Sequence, residues 1–141
     1  MKRVTSFIFL LISVYSYSQQ SKLHIGTWCS DNKNYLIKSV KFTEDDFVYI
    51  TMRNNETLSE YLKNEYSISL TRYEINYAST PIELNIFLTN KSSVATDTIK
   101  WKGILRFITN NKMEISLPMY FNKEIYKDFE NDDTLILEKK E

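Results

Sequence analysis

Two glycines, two prolines, one cysteine and one histidine are all that this chain of 141 residues contains of those types, and each scarcity removes a class of chemistry. Gly26 and Gly103 stand alone and far apart, so no glycine-rich loop can cradle a phosphate. A lone Cys29 closes no internal disulfide, which leaves core packing to hold the domain together. No His or Lys adjoins Cys29 to lower its pKa, so it reads as a buried, inert thiol, with a reactive or intermolecular cysteine as the alternative. His24 is the only imidazole on which an ordinary zinc site or a Ser-His-Asp triad could draw. An exposed histidine without a role is the simpler expectation, and with it come no metal, no cofactor, no catalytic residue and an enzyme as the last-ranked function.

Charge of one sign is also missing. Lys and Arg total 18, and so do Asp and Glu, which advertises neither nucleic acid nor anionic lipid as a partner. No apolar run reaches the ~20 residues that cross a bilayer as a helix. The longest apolar stretch, from Phe7 to Val14, follows Lys2 and Arg3 and precedes the small residues Ser16 and Ser18, the order of a secretory signal peptide. Residues 1–18 are therefore expected to be a leader cleaved after Ser18, giving an exported, periplasmic or secreted, product. The remaining stretch, 19–141, makes one domain with a net charge of about −2 and no transmembrane segment, and a monomer is expected. A lipid anchor would need a cysteine at the cleavage point, and Cys29 follows Gly26-Thr27-Trp28 instead.

What is present is apolar and aromatic: 43% hydrophobic residues, 14% aromatics and 26% charged, enough for one core and too much for a disordered tail. Period-two alternation recurs along 19–141. Residues 25–30 form a first strand. Residues 35–42 form a second, with Leu36, Val40 and Phe42 on one face and Tyr35 and Ile37 on the other; after the polar turn 43–46, residues 47–52 run back as a hairpin. Thr57 with Glu60 fits a capping box, and Leu58, Tyr61 and Leu62 fall at helical spacing, predicting a short helix within 54–65 that competes with an extended alternative. Alternation resumes at Tyr66, Ile68 and Leu70, then Tyr73, Ile75 and Tyr77; Pro81 opens a strand that aligns Ile82, Leu84, Ile86 and Leu88. After a polar loop over 90–97, residues 98–109 place Ile99, Trp101, Gly103, Leu105 and Phe107 on one face and Lys100, Lys102 and Arg106 largely on the other. Met113, Ile115 and Leu117 return as far as Pro118. Asn122 caps a predicted helix to about Glu130, with Ile125 and Phe129 inward, and Leu135 and Leu137 supply the last strand. About eight strands in meander order must hide their edges, so the expected fold is all-β, an antiparallel eight-stranded up-and-down barrel with one or two short helices; a two-sheet sandwich competes.

Gly26-Thr27-Trp28 on the first strand, Thr80-Pro81-Ile82-Glu83-Leu84, Lys102-Gly103-Ile104-Leu105, Lys112-Met113-Glu114-Ile115 and Thr134-Leu135-Ile136-Leu137 together resemble the small bacterial lipocalin-like proteins of the calycin group. The likeness spans nearly all of 19–141. It implies a barrel whose Trp28 packs across the closed end, and an arginine from a late strand lying over that ring. Arg106 is the candidate for the second role, since the final strand carries Lys139 and Lys140 and no arginine.

Three further features concern sites. Asp128, Glu130, Asp132 and Asp133 crowd together but lack the glycine and distal Glu of a calcium loop, so a solvated turn is expected, as it is for Glu44, Asp45 and Asp46. The sequons Asn55-Glu56-Thr57 and Asn90-Lys91-Ser92 matter only in a eukaryotic secretory route. Phe47, Tyr49, Tyr77, Trp101 and Phe107 are the candidate lining of a cavity for a small apolar or amphiphilic ligand, against the alternative that they simply fill the core. Two functions follow: a lipocalin-like binding module for a small hydrophobic ligand without catalysis, or a protein-binding inhibitor or immunity-type factor that uses the outer barrel face or loops. A filled interior favours the second, an open apolar cavity the first.

Overall fold

A computed structural model describes residues 22–62, 68–90, 98–118 and 126–140. The expected leader over residues 1–18, the expected strand start at Tyr66 and all of the loop expected over 90–97 except Asn90, which ends a strand instead, lie outside the described residues. The elements are β1 (Gly26–Cys29), β2 (Ile37–Phe42), β3 (Val48–Met52), α1 (Leu58–Tyr61), β4 (Ile68–Asn76), β5 (Ile82–Asn90), β6 (Thr98–Thr109), β7 (Lys112–Ser116) and β8 (Thr134–Lys140). They form one antiparallel sheet in the order β3-β2-β1-β8-β7-β6-β5-β4. Pairing of β1 with β8 joins the two ends of the chain and turns the meander into a barrel rather than a sandwich.

The barrel is nearly closed. Where β3 meets β4, the join is the bridge from Phe47 to Arg72 and the hydrogen bond from the Tyr73 N–H to the Asp46 carbonyl, 2.9 Å. Farther along this seam the helical turn α1 fills the gap and buries Leu58 and Leu62 in the core. Its start is the expected capping box: the Thr57 hydroxyl accepts from the Glu60 N–H, and the Glu60 carboxylate accepts from the Thr57 N–H at 2.8 Å. The edges of the sheet are thus covered where they diverge.

Inward-facing side chains of all eight strands meet in one cluster. Trp28, Leu84, Ile86, Leu88, Leu105, Met113, Ile115 and Leu137 have no exposed surface, so no space that admits water touches them. The side chains themselves fill that part of the barrel, as in other small eight-stranded barrels. Gly103 faces inward because nothing larger fits: a Cβ there would come within 2.5 Å of the Leu117 side chain and 2.6 Å of the Ser116 carbonyl oxygen.

Two local expectations are corrected. Leu36 is half exposed while Ile37 is buried with Val40 and Phe42, the reverse of strict alternation from residue 35. A bulge explains it: Ile37 pairs with Met52 and Ser39 with Thr51, so Lys38 is one residue extra and the faces switch there. The helix expected over 122–130 is absent from its described part, 126–130. There the Asp128 carboxylate accepts from the Glu130 N–H and the Asn131 amide donates to the Asp128 carbonyl, side-chain bonds that displace helical ones. Asn122 and Ile125 lie outside the described residues.

Candidate functional site: the base of the barrel

At the end of the barrel that holds the β2–β3, β4–β5 and β6–β7 turns, residues 22–25 run across the opening before β1 begins. A turn shapes this strap, the Ile25 N–H donating to the Lys22 carbonyl at 3.1 Å. Two side chains from the barrel fasten it. The Trp28 indole N–H donates to the His24 carbonyl at 2.6 Å, and the Lys139 ammonium donates to the Leu23 carbonyl at 3.1 Å. The same ammonium stands 5.2 Å from the centre of the Trp28 ring, close enough for a cation–π attraction. Lys139 reaches that place because it continues the inward face of Leu135 and Leu137 and pairs directly with Trp28 across β1 and β8.

Trp28 lies at this end of the barrel with a cation over its ring, but that cation is not Arg106. Arg106 is on the outer face, bound through Nε to Glu114 and stacked 4.4 Å from the Phe129 ring centre. The cation over the tryptophan is Lys139. Parity decides this: on β6 the inward residues are Trp101, Gly103 and Leu105, so Arg106 must point out.

His24 overturns its own expectation. It is 6% exposed and both ring nitrogens are engaged, Nε2 with the Tyr73 hydroxyl at 2.8 Å and Nδ1 with the Tyr77 hydroxyl at 2.5 Å. The Tyr73 hydroxyl in turn donates to the Thr43 carbonyl at 2.8 Å. That last bond assigns the tautomer. Tyr73 has one hydroxyl hydrogen and gives it to Thr43, so its oxygen accepts from Nε2–H; Nδ1 is then bare and accepts from Tyr77. The edge of the His24 ring meets Phe42 and Tyr73, with ring centres 5.7 and 5.3 Å apart.

Burial makes this chain of hydrogen bonds a neutral one. Desolvation first, and the Lys139 ammonium second, push His24 down to about 4, with Asp46 opposing them. Burial, then Asp46 and Asp45, push Tyr73 up to about 12, and burial and then Tyr73 raise Tyr77 as well. Two phenols held protonated and a histidine with both nitrogens taken offer no activated nucleophile. What the cluster does hold is one titratable site at a buried junction of four segments. No local spacing signals it: His24 lies in the turn before β1, and the partners of its ring are 49 and 53 residues away.

The other expected site residues are dispersed. Tyr77 points to His24; Trp101 is buried and donates its indole N–H to the Pro118 carbonyl at 2.8 Å; Phe107 is half-buried against Trp28, 6.1 Å between ring centres. Phe47 and Tyr49 do not face the interior. The Arg72 guanidinium covers Phe47 outside the seam at 5.1 Å, and Tyr49 is 54% exposed, because Val48 and Ile50 take the inward positions of β3. Cys29 is partly exposed rather than buried. Among the described residues no group of three His, Cys, Asp or Glu is placed to hold a metal ion. Asp133 accepts from the Tyr126 hydroxyl, and Asp46 closes its turn with a left-handed φ of 64°. Outside the barrel, Thr80, Pro81, Arg106, Lys127 and Phe129 contribute to an open groove of about 480 Å³.

Compared with protein-family models, with curated proteins and with solved structures, the chain matches none.

Proposed function

We propose that this chain is an exported, non-enzymatic binding module on a lipocalin-like barrel, and that it engages a protein partner through its outer surface. The observation that carries the reading is the filled middle of the barrel: among the described residues, eight inward side chains, from Trp28 on β1 to Leu137 on β8, have no exposed surface. A ligand there would have to displace them, at the several kcal/mol that core repacking costs. Large apolar side chains meanwhile stand on the outside. Leu36, Tyr49 and Tyr61, on the β2–β3–α1 sector, are 50%, 54% and 44% exposed. Tyrosine suits a protein contact, since it joins an apolar ring to a polar tip. The basic, apolar, small-residue order of residues 1–18 supports export, and Trp28 beneath a cation at the base of the barrel supports the lipocalin-like reading, with lysine in the place of arginine.

A second reading rests on the outer groove. Pro81 and Phe129 supply apolar surface there beside Arg106 and Lys127, which suits a small anionic amphiphile, and its volume of about 480 Å³ is of ligand size. One pair of experiments separates the two. A photo-crosslinking residue in place of Tyr49, in the source cell, is expected to capture one defined protein, whereas the same group in place of Asn110 captures none. Saturable binding of a fluorescent fatty acid, lost in Phe129→Asp but kept in Tyr49→Asp, would instead establish the groove.

A further inference from the structure

We infer that the strap 22–25 is an acid-released latch on the base of the barrel, with His24 as its trigger. The inference rests on the geometry of the base and is independent of what the outer surface binds.

The strap is held by hydrogen bonds that all pass through or beside His24. Its carbonyl holds the Trp28 indole, the neighbouring Leu23 carbonyl holds Lys139, and its ring joins Tyr73 on β4 to Tyr77 in the following turn. One link, the bond that Nδ1 accepts from Tyr77, fits only the neutral ring. Protonation puts a hydrogen on Nδ1, facing a Tyr77 hydroxyl whose oxygen is 2.5 Å away and whose own hydrogen already points there, so two donors oppose each other until Tyr77 rotates. It also places a positive charge in a site 6% exposed. The groups facing that charge are Lys139 from β8, Asp46 from the β2–β3 turn, and the uncharged Tyr73 and Tyr77. Lys139 repels it and is not free to withdraw while it bonds Leu23 and covers Trp28. The single opposing carboxylate, Asp46, does not outweigh burial and Lys139, as the depressed proton affinity of the ring records.

Relief is available at low disruption. The strap lies N-terminal to β1 and outside the sheet, so it can leave without breaking a ladder hydrogen bond, whereas the inward cluster of β5 to β7 remains intact. Release uncovers the indole edge of Trp28 and the phenols of Tyr73 and Tyr77. With the ring at about 4 when latched and near 6.5 when released, the opening constant rises up to about 300-fold on acidification across that interval.

The test uses the purified protein followed from pH 7 to pH 3.5 by nuclear magnetic resonance. His24 is the sole histidine, so one ring signal reports its protonation, and the indole N–H of Trp28 reports the strap. The two are expected to move together and reversibly between pH 6.5 and 4, with the amides of Leu84, Ile86 and Ile115 unmoved and the far-ultraviolet circular dichroism unchanged. In His24→Gln, which keeps a donor and an acceptor but cannot charge, the indole shift is expected to vanish. An indole that stays fixed while the ring titrates, an indole transition of the same midpoint in His24→Gln, or loss of β5–β7 amides at the same pH each overturns the latch. Should His24→Gln fail to fold, the coincidence of the ring and indole midpoints in the native sequence decides the matter alone.

Discussion

The ammonium of Lys139 stands 5.2 Å from the centre of the Trp28 ring and donates a hydrogen bond to the carbonyl of Leu23, 116 residues away in sequence. This one side chain ties the last strand to the strap before the first, across the line where the barrel closes.

Lys139→Met removes both links while keeping the apolar stem over the indole. A loss of about 2–4 kcal/mol is expected, the sum of a cation–π contact and one hydrogen bond from a charged donor. Urea unfolding monitored by tryptophan emission measures it. Arg106→Met, in contrast, removes an exposed ion pair with Glu114 and is expected to change stability by no more than ~1 kcal/mol and to leave the emission spectrum unmoved. Equal effects of the two substitutions would return Arg106 to the role the resemblance gave it.

Stability depends on pH through His24 with a definite sign. The folded-state value is depressed from 6.5 to about 4, so between those limits the unfolded chain binds more protons and stability falls as pH falls. Up to about 3 kcal/mol present above pH 6.5 is lost by pH 4, at 1.36 kcal/mol per unit. Urea midpoints at pH 7, 5 and 4 are expected to descend in the native sequence, and this part of the descent to be missing in His24→Gln.

On the alkaline side Tyr73 acts with the opposite sign, costing stability as pH rises. Its value is raised from 10 to about 12, so the folded state keeps a proton that the unfolded chain gives up, and stability is lost as pH climbs through that interval. The expected size is on the order of 2–3 kcal/mol. Tyr73→Phe should abolish this alkaline loss but surrender the bond to Thr43 at every pH; ultraviolet titration of phenolate formation is the check.

Gly103→Ala is expected to destabilise the barrel by about 1–3 kcal/mol, because the added methyl meets the Leu117 side chain and the Ser116 carbonyl at once. Adding Leu117→Ala relieves the first clash and leaves the backbone one, so the double variant should not recover native stability. Thermal unfolding of the two variants distinguishes a side-chain clash from a backbone one.

Met113→Ala, in the filled interior, is expected to lose about 2–5 kcal/mol, while Tyr49→Ser, half in solvent, should stay within ~0.5 kcal/mol of the native value. A neutral Met113→Ala would mean that the middle of the barrel has room to spare and would reopen the interior to a ligand.

Most of the barrel was legible from alternation alone. Leu84, Ile86 and Leu88 on β5, Trp101 and Leu105 on β6, Met113 and Ile115 on β7 and Leu135 and Leu137 on β8 all face inward as their spacing predicted. The capping box at Thr57 and Glu60 was readable for the same reason, since its partners are three residues apart. Alternation misled at Leu36 and Ile37, where the extra residue Lys38 switches faces; a bulge is set by the pairing of β2 with β3, which no single strand records. The acidic segment near Glu130 was read as helical on the spacing of Ile125 and Phe129, but Asp128 and Asn131 spend their side chains on the backbone instead.

Residue by residue, the order of amino acids settled the strands, the turn residues between them and, outside β2 and β3, their wet and dry sides, because each of these follows from sterics and spacing over a few neighbours. It did not settle what surrounds His24. The partners of that ring, Tyr73 and Tyr77, lie 49 and 53 residues along, and the cation over Trp28 comes from the opposite end of the chain. Only closure of the sheet, β8 pairing with β1 and the β3–β4 seam joining at Phe47 and Arg72, sets these groups side by side and removes the water that would have kept the histidine an ordinary one.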